Sequence, residues 1–162
     1  MKILAVPALA AWSAVLALST MAGAQTKQID HYSAAELSQK VQILRGKVNA
    51  ATGSSGQTLE KYPNHLTMLI LREKDGQSEL HQHTADVFIV LDGSAGLLTG
   101  GHMTDSKQTD NGEFRGTGLE GGTLASLKKG DIVHIPAGVP HQLRIAAGNT
   151  FTYFVVKVTE GE

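Results

Sequence analysis

Gly130-Asp131-Ile132-Val133-His134-Ile135-Pro136-Ala137-Gly138-Val139-Pro140-His141 is the stretch of this chain that decides its fold. A Gly-Asp turn opens a short β-branched run, and a Pro and a Gly close it. A His follows the second Pro just as the next apolar segment begins. The segment therefore reads as a strand, a rigid bend and a presented imidazole.

A second block lies upstream, Gly76-Gln77-Ser78-Glu79-Leu80-His81-Gln82-His83-Thr84-Ala85-Asp86-Val87-Phe88-Ile89-Val90-Leu91-Asp92-Gly93. Together the two blocks resemble the paired signatures of the cupin superfamily, whose small β-barrels commonly hold one metal ion by inward-pointing side chains. The family pattern in the first block is Gly, His-any-His, a short gap, Glu, a spacer and Gly. Counted back from Gly93, the Glu position falls on Asp86, the shorter acid. Two registers then fit. In one, Glu79 stands in the place of the first His and His81 follows it; in the other, His81 and His83 form the His-any-His pair, which is the usual family solution. The resemblance runs from Tyr62 to Val158.

Side chains alternate across a strand, so Glu79, His81 and His83 share one face if the extended conformation persists through His83. A buried unpaired carboxylate is costly, and a divalent cation that accepts imidazole nitrogen and carboxylate oxygen together removes the penalty. The candidate metal set is thus His81, His83, Asp86, His141 and Glu79. His141 holds its place by its position after Pro140, and His81 by fitting both registers. Glu79 reads as a ligand or a rim carboxylate, and His83 as a ligand or a solvent-facing residue where the chain turns. Asp86 reads as a ligand or as a group that orients a ligand His. His134 faces either way, and His31, His65 and His102 carry no spacing argument.

Short strands dominate from His65 on: Leu66 to Arg72, Glu79 to His83, Val87 to Leu91, Ala95 to Thr99, Leu124 to Leu127, Ile132 to Ile135, His141 to Ile145 and Phe151 to Val158. Turns such as Asp75-Gly76, Asp92-Gly93 and Gly148-Asn149 separate them, the spacing of an all-β sandwich or barrel. Residues 102–122 are polar and glycine-rich and read as a long hairpin or loop near a rim, either a lid or a tolerated insertion. Upstream, Ser33-Ala34-Ala35-Glu36 is a capping box followed by Leu37, Val41, Leu44 and Val48 at helical spacing, predicting one amphipathic helix from Ala34 to Ala50. The expected fold is all-β, a cupin-like antiparallel barrel (double-stranded β-helix or jelly roll) with that one N-terminal helix.

At the N-terminus, Lys2 precedes an apolar run from Ile3 to Leu18, and Ala22-Gly23-Ala24 supplies small residues in the A-x-A pattern of a secretory cleavage site. The run is too short and too poorly flanked for a membrane span. The expected organisation is a signal peptide over 1–24, helix and linker over 25–61 and the barrel over 62–160, with periplasmic or secreted localisation and no stable membrane anchor after cleavage. The leader takes with it Trp12, the sole Trp of the chain.

There is no Cys, so a disulfide framework is excluded despite the expected export. A formal charge of −1 and scattered Lys and Arg argue against a nucleic-acid partner. No Gly-x-Ser-x-Gly elbow or phosphate-cradling glycine loop is present. The resemblance implies one divalent ion, Mn, Fe, Zn, Ni or Cu, and two functions for it. One is an enzyme acting on a small molecule, an oxygenase, isomerase or lyase; the other is a non-catalytic module that captures a small ligand or a metal. A homodimer is compatible with either.

Overall fold

The computed structural model describes residues 29–160, and the expected leader lies outside them. One helix, α1 (Ala34–Arg45), is followed by twelve strands: β1 (Ser54–Lys61), β2 (His65–Arg72), β3 (Ser78–His81), β4 (Thr84–Thr99), β5 (His102–Thr104), β6 (Lys107–Asp110), β7 (Glu113–Gly116), β8 (Gly118–Glu120), β9 (Thr123–Lys128), β10 (Ile132–Ile135), β11 (His141–Arg144) and β12 (Phe151–Thr159). All pairings are antiparallel, and the main sheet runs β1-β2-β12-β4-β11-β3-β7-β6, with β9 and β10 also on β4. β5 and β8 make a separate two-stranded ribbon. No helix among the described residues is long and apolar enough to cross a membrane.

β4 organises the barrel. Its first half pairs with β12 and β10, and its second half, from Ser94 on, pairs with β9 and β11. One strand thus serves both layers, and the change of layer comes at a register shift where Thr152 faces Asp92 and Tyr153 faces Val90. A bulge bends a strand in this way. Gly93 makes it possible: its φ is +79°, and a Cβ there would collide with the Thr150 carbonyl oxygen. The expected Asp92-Gly93 turn is therefore a bend inside one 16-residue strand.

The lumen is filled by alternate residues of the inner faces, among them Phe88, Val90, Leu97, Leu143, Phe151, Tyr153 and Val155, all buried. On β2 the alternation is two-sided. Met68 and Ile70 pack on the lumen cluster, while Leu69 and Leu71 face Leu44 of α1 and its neighbours Leu37 and Val41. The helix therefore covers the outer face of β2, and its capping box is formed as read, with Ser33 Oγ accepting from Glu36 N at 3.2 Å and Ser33 N donating to Glu36 at 2.8 Å. It ends at Arg45, short of Ala50, because Gly46 closes it with a bond to Gln42 O. Val48 still packs on the same cluster.

Three further differences bear on the site. Ser54–Lys61, read as linker, is an edge strand on β2. Residues 102–122 are four short strands, two of which, β6 and β7, extend the main sheet beyond β3. The strand read from Glu79 to His83 stops at His81.

Candidate metal centre

The 130–141 block does locally what its residues dictate. Asp131 closes the turn by accepting from Lys128 N at 2.9 Å, β10 follows, and the Pro136–Pro140 bend delivers His141 at the first residue of β11. The bend also grips its neighbours: Gly138 N donates to His81 O at 2.7 Å, and Gly100 N donates to Pro140 O at 2.8 Å. The first of these bonds joins the two signature blocks through the backbone.

Strand register then assembles the side chains. His141 lies opposite Glu79, and Glu79 lies opposite Arg115 on β7. His81 lies opposite Glu113, and Asp86 on β4 opposite Lys157 on β12. Glu79, His81 and His141 each turn a ligand atom to one point, all within 4.8 Å of one another. His81 and His141 are buried, and Glu79 is partly so. The inner cavity beside them, lined by Glu79, His141 and Asp86 and about 60 Å³ in volume, is large enough for an ion with a few waters, at roughly 10–15 Å³ for each water.

Each imidazole is held by its far nitrogen. His141 Nδ1 donates to Val139 O at 3.1 Å, and burial lowers its pKa, so the ring is neutral at neutral pH with the Nε2 lone pair turned inward. His81 Nδ1 donates to Glu113 Oε2 at 2.6 Å, an outer carboxylate of the kind that orients metal-bound His. Burial pulls the pKa of His81 down, but hydrogen bonds to Asp86 and Glu79 outweigh it and raise it to about 9. Without an ion the ring therefore carries a proton that a metal must displace. Glu79 is opposed by burial, yet His81 and the Arg115 guanidinium at 3.6 Å hold it down at about 2.

Asp86 is buried beside this group, its Oδ2 3.4 Å from His81 Nε2 and 3.7 Å from His141 Nε2. Its other oxygen accepts from Lys157 Nζ at 2.6 Å. That ammonium also lies 3.1 Å from His81 Nε2. A cation already stands at the mouth of the donor set, and the acid, imidazole and carboxylate atoms around it are of the type that hold a divalent ion.

His83 is not brought into this group. After His81 the chain leaves the strand, Gln82 N donates to Gly112 O at 2.8 Å, and His83 is exposed with its ring against Gly112. The alternation that would have carried His83 to the lumen ends two residues early. His134 is exposed, His102 is exposed, and His65 stacks on Tyr62 at 4.3 Å between ring centroids. Lys157 and Glu113 are the polar residues of the site that sequence reading passed over. For Lys157 there was a signal: it follows Tyr153 and Val155 at period two, a charged residue on the inward row of an apolar strand.

No protein-family model and no curated protein matches the chain. Solved structures do. The cupin domain of Cnp3 from Schizosaccharomyces pombe aligns at TM-score 0.50 and 12% identity over 66% of this chain and 61% of that one. TT1209 from Thermus thermophilus aligns at 0.50 and 17% over 70% and 90%. A conserved protein with a double-stranded β-helix domain from Klebsiella pneumoniae aligns at 0.49 and 16% over 70% and 83%. With one bent strand shared by two antiparallel layers around an apolar lumen, and with the likenesses to the Cnp3 cupin domain and TT1209, the chain has the fold of the cupins, a double-stranded β-helix barrel.

Proposed function

We propose that the protein binds one divalent metal ion through Glu79, His81 and His141, with Asp86 close by, and uses it on a small molecule as an oxygenase, isomerase or lyase. The observation that carries this reading is the convergence of the three donors, each imidazole already fixed through Nδ1. A bound ion supplies Lewis acidity or open coordination positions. The protein's own groups do the rest. Glu113 and Val139 O orient the rings, Arg115 holds Glu79 in its anionic form, and the apolar wall of Phe88 and Val155 limits water. We further propose export to the periplasm or beyond, on the strength of Lys2, the apolar run and Ala22-Gly23-Ala24.

One observation favours a second reading, a binding module without turnover. Lys157, Arg115 and a protonated His81 can balance Glu79, Asp86 and Glu113 with no ion present.

Elemental analysis of protein purified from its native compartment tests the first reading, together with titration of the chelated protein with Mn, Fe, Zn, Ni and Cu. His81→Ala, His141→Ala and Glu79→Gln should each cut metal affinity by about tenfold or more, while His83→Ala leaves it unchanged. A His83→Ala loss equal to the His81→Ala loss would place the ion elsewhere. Oxygen uptake and substrate screening of the loaded protein then separate enzyme from module.

A further inference from the structure

Arg72 ends β2 on the lumen side, two residues beyond Ile70, at the neck between the inner cavity and an outer groove of about 630 Å³. Its guanidinium lies flat against Gly76, where an added Cβ would sit 3.3 Å from Cζ and from Nη1. Its Nε is fully buried and has no hydrogen-bond partner among the described residues. Nor does any carboxylate pair with it there. The other cations of the groove are engaged: Arg144 Nη1 donates to Asp75 at 3.0 Å, and Lys74 Nζ donates to Ala50 O at 2.7 Å.

Gln142 borders the same two spaces and is 2% exposed. Its amide orientation is fixed, because Nε2 donates to Gly76 O at 2.7 Å and Gly76 N is itself tied to Leu143 O at 2.9 Å. That leaves Oε1 as a buried acceptor with no donor. Tyr153 lines the inner cavity as well, and burial pushes its hydroxyl up to about 12 despite the charge of Arg72 and a hydrogen bond from it. It stays a neutral O–H donor. The guanidinium keeps Tyr153 as a hydrogen-bond partner, but its buried Nε and the Gln142 acceptor have none, and such atoms are expensive unless a ligand completes them. The donor asks for an anion, and a guanidinium suits a planar carboxylate above all. The acceptor asks for a hydroxyl.

We infer that Arg72 and Gln142 form the anchoring subsite for a small hydroxycarboxylate, its carboxylate on Arg72 and its hydroxyl on Gln142 Oε1. The assignment rests on the reading of this cavity as the functional site, and not on the identity of the ion or on turnover. The narrow inner cavity restricts the ligand to a short chain, and the groove shared by Arg72, Gly76, Gln77 and Glu79 is its way in.

The test is calorimetric titration of the full exported protein with glycolate and lactate, first chelated and then metal-loaded. Acetate, propionate and the methyl esters of the hydroxy acids serve as comparisons. The hydroxy acids should bind the chelated protein about tenfold or more tighter than their esters and than the acids lacking the hydroxyl. Arg72→Gln should remove that binding, Arg72→Lys should keep a weakened part of it, and Gln142→Leu should erase the preference for the hydroxyl while acetate still binds. Metal affinity is measured in the same samples and should not follow Arg72→Gln. Absence of hydroxy-acid binding to the chelated protein overturns the inference even if metal binds. So does equal binding of acid and ester, or binding seen only with metal and indifferent to Arg72→Gln. Hydroxy-acid binding with no metal affinity would sink the metal reading and leave this one standing.

Discussion

Lys157→Met tests whether the ammonium competes with a metal. Lys157 Nζ stands 3.1 Å from His81 Nε2 and 2.6 Å from Asp86 Oδ1. A dication bound to that imidazole would sit about 2.0–2.2 Å from the nitrogen. It would then be closer than about 4 Å to an unmoved ammonium, where repulsion exceeds about 8 kcal/mol at an effective dielectric of about 20. The side chain must therefore withdraw, and at 22% exposure it has a path to solvent. At about 10 Å the residual repulsion is between about 1 kcal/mol in water and about 3 kcal/mol at the protein value. Removing the charge should thus tighten metal binding about 5- to 150-fold. The same change removes the Lys157 partner of buried Asp86 and leaves protonated His81 alone to balance it in the ion-free protein, which should cost about 1–3 kcal/mol of stability, less than a fully buried pair because Lys157 is partly exposed. The assay is chelator competition with Zn and with Mn, on wild type, Lys157→Met and Lys157→Ala, with thermal melts of each form. Expected is a lower melting temperature without metal and a larger metal-induced rise. If both folded variants bind metal no better than wild type, Lys157 is not a competitor and the reasoning fails.

Three other outcomes are expected. His81 has a folded pKa of about 9, above its ordinary 6.5, so its contribution to ion-free stability is complete below about 6.5 and is lost as pH rises to about 9. Metal affinity should climb through the same window, and a titration curve that levels off near pH 7 would contradict the assignment. Gly93→Ala should destabilise the fold by about 2 kcal/mol or more in urea melts, because φ of +79° and the Thr150 carbonyl both oppose a Cβ; a loss under about 0.5 kcal/mol would mean that the bend is soft. Exported protein should begin at Gln25 and lack Trp12, which intact mass reads directly.

What was legible in the sequence was local. The Gly130–His141 block announces itself because turn, strand, bend and His depend on neighbouring residues, and the capping box of α1 is legible for the same reason. His83 misleads because β3 is stopped by a partner far along the chain, Gly112, and not by anything beside it. Lys157 and Asp86 are 71 residues apart, so their pairing exists only through the β4–β12 register. β1 escaped notice because Ser54–Lys61 is mostly polar, with no apolar alternation, and forms an edge. Asp92-Gly93 reads alike as a turn or a bulge, since a left-handed Gly serves both.

β4 has a mechanical consequence. Because Phe88 and Leu97 belong to one uninterrupted strand whose halves are hydrogen-bonded in different layers, pulling either layer away strains the other through the backbone at Gly93. An opening between the layers therefore loads this backbone, through which Asp86 at one end of the strand is tied to Thr99, opposite His141, at the other. Donors gathered from separate strands thus keep their geometry through the tension of one.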